Sequence, residues 1–315
     1  MSNLITNTPY DDAYRTMFCC CHELIYPLIN EVFGEHYTGK EKLIQRQNEH
    51  FELYQDGSED KRITDSVVDI IGETVKKYHC ECQTEADNTI AIRMFQYGSE
   101  IAVEEAKLAA DGLHVEMPHA AVIFLRCNNS TSDRLMIHVK SPEGDEISYP
   151  IHVLRIKDYT IDDLFEKELY ILIPFYLFNL EKSFALYDID EQKRRDLMII
   201  FIEIRTRLEQ LAEEGKLSTY NQCMVRGMSN KVAQNLTKKY ENVQKGIGDI
   251  MGGKIIDMEE TRILNQGIDQ TNLSSIKKMM KNLNLSEKEA MNALELSEIE
   301  QKKYSSMLLE QDAAK

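Results

Sequence analysis

Apolar positions Tyr14, Met17, Phe18, Leu24, Ile25, Leu28, Ile29 and Phe33 recur at helical spacing. Asp11 or Asp12 can cap their start and Gly34 ends the run, which predicts one helix over 10–33. Residues 35–60 read as loop plus a first strand at 50–54, broken by the polar run 56–60. Two β-rich runs then flank Gly72. If they pair antiparallel about Gly72 to Thr74, residues whose numbers sum to 146 face each other. Val67 then meets His79, Asp69 meets Lys77, and Asp65 meets Glu81. A polar turn at 84–88 leads into an amphipathic helix over 89–110, with Arg93, Tyr97 and Glu100 on one face.

The continuous apolar run 120–126 predicts a buried central strand. Runs 135–139 and 147–155 predict two more, the second an edge strand or two pieces because it contains Pro150. Thr160 to Asp163 is a capping signal for a helix over 161–180, which Pro174 should kink. The apolar and aromatic stripe of that helix reads as core. Residues 188–214 predict a helix with a charged start, and Gly215 with Ser218-Thr219 marks a break. Helical pattern resumes over 219–250, with Gly246, Gly248, Gly252 and Gly253 punctuating the joint that follows. Three short helices are predicted at 273–283, 287–294 and 298–309, two of them opened by the capping motifs Ser286-x-x-Glu289 and Ser297-x-x-Glu300.

Strands interleaved with helices in the first half, then helices alone, make an α/β chain with a mixed sheet flanked by helices. The predicted division is 1–187, a helical extension over 188–269, and a small helical module over 270–315. That last module reads as a protein-interaction or oligomerisation piece. Its final two helices are acidic or mixed, which suits a DNA reader poorly despite Lys277, Lys278 and Lys281.

Charge changes the picture. The 315 residues carry a formal net charge of −16. It is concentrated in residues 1–215, about −18, with about +2 in the remainder. A generally basic nucleic-acid surface is excluded, so any contact with DNA must use a local groove or a bound cation. The most apolar stretch, 169–180, is 12 residues with an internal proline, whereas a membrane helix needs about 20. The start lacks the basic and apolar regions of a signal peptide, and the seven cysteines show no secretory spacing. The expected setting is the cytoplasm, with reduced thiols and no membrane.

Cys19-Cys20-Cys21 lies within the first predicted helix, where three adjacent thiols point three ways and read as small buried hydrophobes. His79, Cys80 and Cys82 alternate faces of one strand and cannot supply a four-ligand zinc site. Gly252-Gly253-Lys254 lacks the phosphate-loop pattern. The informative residues are Glu81 and Gln83, on one face of their strand by period-2 alternation, with Asp65 set against Glu81. Opposed side chains have Cβ atoms roughly 4.5–5.5 Å apart, and two aligned carboxylates repel until a cation or proton relieves them.

The order R-x-x-D, then E-x-Q, then a helix with Arg93 and Tyr97 resembles the PD-(D/E)xK nuclease superfamily. More narrowly it resembles the bacterial recombination-promoting nuclease and transposase group, where the lysine of E-x-K is often glutamine. DDAYRTMF (11–18), YPLINEVFG (26–34), 149–181 and 251–267 extend the likeness over most of the chain. The resemblance implies a restriction-endonuclease-like core followed by an all-helical C-terminal region. It implies Mg²⁺ or Mn²⁺ held by Asp65 and Glu81, and cleavage of phosphodiester bonds in DNA. Gln83 would orient the attacking water, Arg93 steady the phosphate, and Tyr97 hydrogen-bond behind the ligands. It also implies that Asp12 adds an acid to the site; a plain helix cap accounts for Asp12 equally well. Two other readings suit the same residues: a nuclease fold that binds nucleic acid or protein without cutting, and a helical interaction adaptor with solvent-facing hairpin acids.

Overall fold

The computed structural model describes residues 9–252 apart from 47–48, 54–58, 64–65, 86–88, 105 and 128–131. Further on it describes 273, 275–280, 285–294, 301, 304, 305 and 308, and it gives 49–53 and 59–63 as backbone only. Its centre is a six-stranded mixed sheet, ordered β1, β4, β5, β8, β10, β9. These strands are β1 (Lys42–Arg46), β4 (Val67–Ile71), β5 (Val75–Glu85), β8 (His119–Arg126), β9 (Arg134–Lys140) and β10 (Glu146–Arg155). Strands β2 (Glu49–Leu53) and β3 (Glu59–Ile63) form a separate hairpin.

The hairpin register is the predicted one. Val67 pairs with His79, Asp69 with Lys77 and Ile71 with Val75. The Cys80 amide donates to the Ser66 carbonyl at 2.9 Å, which carries the same register one residue further. β5 then runs parallel to β8, with Glu81 beside Val122 and Gln83 beside Phe124, and β8 runs parallel to β10. β1, where a loop was expected, pairs antiparallel with β4 and closes that edge.

Period-2 alternation divides the sheet into two faces. One carries Ala120, Val122, Phe124 and Ile151, packed under Ile90 and Met94 of α3 (Ile90–Glu104). Burying a side chain of this size contributes roughly 1.5–3 kcal/mol, so a handful of them fixes α3 on the sheet. The other face carries Tyr78, His119 and His152, all in ring contact with Phe33 of α2 (Ile25–Phe33).

Several elements differ from expectation for identifiable reasons. The helix predicted over 10–33 is two, α1 (Pro9–Cys20) and α2, separated by Cys21 at φ −118 and a 3₁₀ turn. Pro27 explains the restart. It has no N–H and crowds the carbonyl four residues back, so it is tolerated only in a first turn. Cys21 is buried while Cys19 and Cys20 are half-buried at the joint. Helix α3 stops at Glu104, and 107–114 form a small hairpin, β6 (Lys107–Ala109) and β7 (Gly112–His114), turning on Ala110 and Asp111.

β10 is one strand and not an edge strand. Its pairing with β8 begins at Ile151, so at Pro150 only β9 is alongside and the missing N–H interrupts no ladder bond. The helix predicted over 161–180 ends early. Its capping box forms as expected between Thr160 and Asp163, but α4 spans only Ile161–Glu166. Glu168 adopts φ 56, and Tyr170–Asn179 winds as a 3₁₀ helix around Pro174, most of it buried.

Helices α5 (Phe184–Ile189), α6 (Glu191–Glu213), α7 (Thr219–Leu236) and α8 (Glu241–Met251) complete the first body. Asp190 breaks the run predicted over 188–214 and caps α6. α7 packs on the 3₁₀ segment and α1, and Asn221 donates to Glu23 at 2.7 Å. Gly246 and Gly248 lie inside α8 rather than at its end. A Cβ on Gly246 would stand 2.6 Å from the Met198 sulfur, so α6 and α8 approach there.

The chain divides into two compact units, Met1–Gly253 and Lys254–Lys315. The second has its own core of Leu273, Ile276, Ala290, Met291, Tyr304 and Leu308. The Ser286–Glu289 capping box is formed there; the Ser297–Glu300 motif lies outside the described residues. Among the described residues no helix is long and apolar enough to cross a membrane.

Candidate active site

β5 is central to the sheet, yet it carries His79, Glu81 and Gln83 on the face that α3 covers. Its other face carries Tyr78, Cys80 and Cys82, all buried, as an interior strand should. Burial pushes the Cys80 thiol up to about 12, and the charge of Glu81 adds to it, so this thiol is an inert packing group.

Glu81 is 3% exposed, and its neighbour across the parallel pair is Val122. Among the described residues its carboxylate has two partners, one for each oxygen. His79 Nε2 lies 3.3 Å from Oε1 and Gln83 Nε2 lies 3.3 Å from Oε2. A carboxylate oxygen accepts here when the His79 tautomer carries its proton on Nε2. Gln83 Oε1 in turn accepts from the Arg93 guanidinium at 2.8 Å. Arg93 comes from the second turn of α3, and Tyr97, one turn on, sets its ring against His79 with centroids 6.1 Å apart. The hydrophobic staple of α3 on the sheet therefore delivers Arg93 and Tyr97 to β5.

The electrostatics are unbalanced. Charge-assisted N–H···O bonds usually run about 2.7–2.9 Å, and both contacts to Glu81 are longer. Desolvating a carboxylate costs several kcal/mol, while a hydrogen bond to a charged group returns about 1.5–3 kcal/mol at ordinary length and less at 3.3 Å.

A second buried acid shares this face. Asp69 of β4 is 4% exposed and accepts from Arg46 Nε of β1 at 2.8 Å, with Oδ1 lacking a hydrogen-bond partner among the described residues. An acid inside the apolar run Val67–Ile71 was the available signal for Asp69. Arg46 was hidden because its strand read as loop.

Of the predicted site residues, the structure brings together Glu81, Gln83, Arg93 and Tyr97. Asp65 lies outside the described residues. Asp12 is exposed in the first turn of α1, its carbonyl accepting from the Thr16 hydroxyl, and no hydrogen bond or ion pair joins it to Glu81. His79, which the sequence reading gave no role, is fully buried against Glu81. Among the described residues no three His, Cys, Asp or Glu side chains converge as a metal-binding group. No protein family, curated protein or solved structure matches the chain.

Proposed function

We propose that the chain is a metal-dependent endonuclease that hydrolyses phosphodiester bonds in DNA, with Asp65 and Glu81 holding Mg²⁺ or Mn²⁺. The observation that carries this reading is Glu81 itself, a carboxylate buried at the centre of a sheet with, among the described residues, two long hydrogen bonds and no Lys or Arg paired to it. Buried charge of this kind is retained where a cation offsets it. The donor set is oxygen, which suits Mg²⁺ or Mn²⁺. The register is the predicted one as far as Ser66 and Cys80, and the expected pairing of Asp65 with Glu81 lies outside the described residues. The bound ion would lower the pKa of a water and offset charge on the scissile phosphate.

The chain's own residues then divide the work. Gln83 holds one oxygen of Glu81, and Arg93 holds Gln83 while its guanidinium adds positive charge beside the acids. That local charge matters because residues 1–215 are strongly acidic, with a net charge of about −18. One observation favours a second reading, a nuclease fold that binds without cutting. Gln83 engages both ends of its amide, with Glu81 and with Arg93, which leaves one N–H and one lone pair of Oε1 for a water.

Plasmid DNA incubated with the protein separates the two. Nicking is expected with Mg²⁺ or Mn²⁺ and none in a chelator. Asp65→Asn and Glu81→Gln each keep shape and remove one negative ligand, so each should lower the rate at least about 100-fold. Full cutting by both variants would end the assignment to this site, and binding without cutting by the unaltered protein would favour the second reading.

A further inference from the structure

We infer that His79 is a positioning residue for Glu81, holding the carboxylate by its Nε2–H so that the lone pairs left over face a bound divalent cation. The inference rests on the reading of Glu81 as a metal ligand and adds a residue to it. Three facts point to His79. Period-2 alternation places residues 79, 81 and 83 on one face, so His79 and Gln83 bracket Glu81 along the strand. Each contributes one donor to a different oxygen, at 3.3 Å in both cases, which fixes the plane of the carboxylate. The bracket is itself anchored, by Arg93 on Gln83 and by the ring of Tyr97 on His79.

Packing alone does not call for a histidine here. The side chain is fully buried, its neighbours in the two adjacent strands are Val67 and Ala120, and Nδ1 is buried with no hydrogen-bond partner among the described residues. An apolar residue would fill the space without desolvating a ring nitrogen. What an apolar side chain cannot supply is the donor to Glu81. Groups that orient a ligating carboxylate typically change metal affinity 10–100-fold when removed.

Two variants separate positioning from packing. His79→Leu fills the space and removes the donor. His79→Gln keeps an amide N–H near the position of Nε2. Titration calorimetry with Mn²⁺ alone should show affinity about 10- to 100-fold weaker in His79→Leu and within about threefold of the unaltered protein in His79→Gln. Urea unfolding of both metal-free variants shows whether the fold survives. A folded His79→Leu that binds Mn²⁺ as well as the unaltered protein overturns the inference, and so does equal weakening in both variants.

A metal-free readout keeps this apart from the fate of the nuclease reading. The ¹⁵N shifts of the His79 ring in the unaltered protein should mark Nε2 as the protonated nitrogen, and Glu81→Leu should move them. A proton on Nδ1 alone overturns the inference, whatever the metal does. If the unaltered protein takes up no Mn²⁺ while the ring signature is as expected, the metal reading falls and the pairing of His79 with Glu81 stands.

Discussion

His119 and His152 sit on neighbouring strands, β8 and β10, with ring centroids 5.9 and 5.1 Å from Phe33 of α2. Burial lowers the pKa of both. Lys76 lowers His119 further while Glu35 opposes it, and Arg134 and His119 lower His152. A histidine depressed below its ordinary 6.5 binds protons more readily in the unfolded chain. Stability from this source is therefore unaffected well above pH 6.5 and falls as pH drops through 6.5 and below. Urea midpoints across that range should fall less steeply in His119→Asn/His152→Asn than in the unaltered protein; parallel curves would refute this. None of it was legible in the sequence, because the two rings meet Phe33 from strands that lie far from it in the chain. Glu81 and Gln83 were legible, since both lie on one strand and period 2 alone aligns them. Asp69 was half legible, as an acid in an apolar run whose partner sits on an unread strand.

Caps and lengths behave differently at the level of the element. The Thr160–Asp163 box is local chemistry: the Asp163 amide donates to the Thr160 hydroxyl at 3.1 Å, and the Thr160 amide donates to Asp163 at 2.8 Å. Thr160→Ala should cost about 1 kcal/mol, read from urea unfolding, and a change under about 0.3 kcal/mol would show the cap to be incidental. Such signals span four residues and can be read directly. Lengths depended on proline acting backwards. Pro27 forces α2 to restart just before it, and Pro174 turns the apolar run 170–179 into a 3₁₀ helix where a kinked α-helix was expected. Strand β1 was missed for a different reason: five residues of mixed polarity become a strand only because β4 offers them an edge.

Across the whole molecule the mixed sheet, the hairpin register and the helices on both faces were legible, since each follows from patterns longer than ten residues. The body that those patterns build ends at Gly253 and the second unit has a core of its own. A chain cut after Gly253 should therefore unfold in one cooperative transition, and a broad, non-cooperative one would show that the first body needs the remainder. Strand β5 receives its two neighbours from very different distances. Its partner β4 is reached through a turn of three residues, Gly72 to Thr74, while β8 begins roughly 40 residues on, beyond α3. Closing the short loop is the cheaper event and long-range parallel pairing the slower one. Glu81 is thus aligned on a hairpin while still open to water, and is roofed over only when α3 and β8 arrive. The cost of taking that carboxylate out of water therefore falls on the late long-range pairing and not on the hairpin.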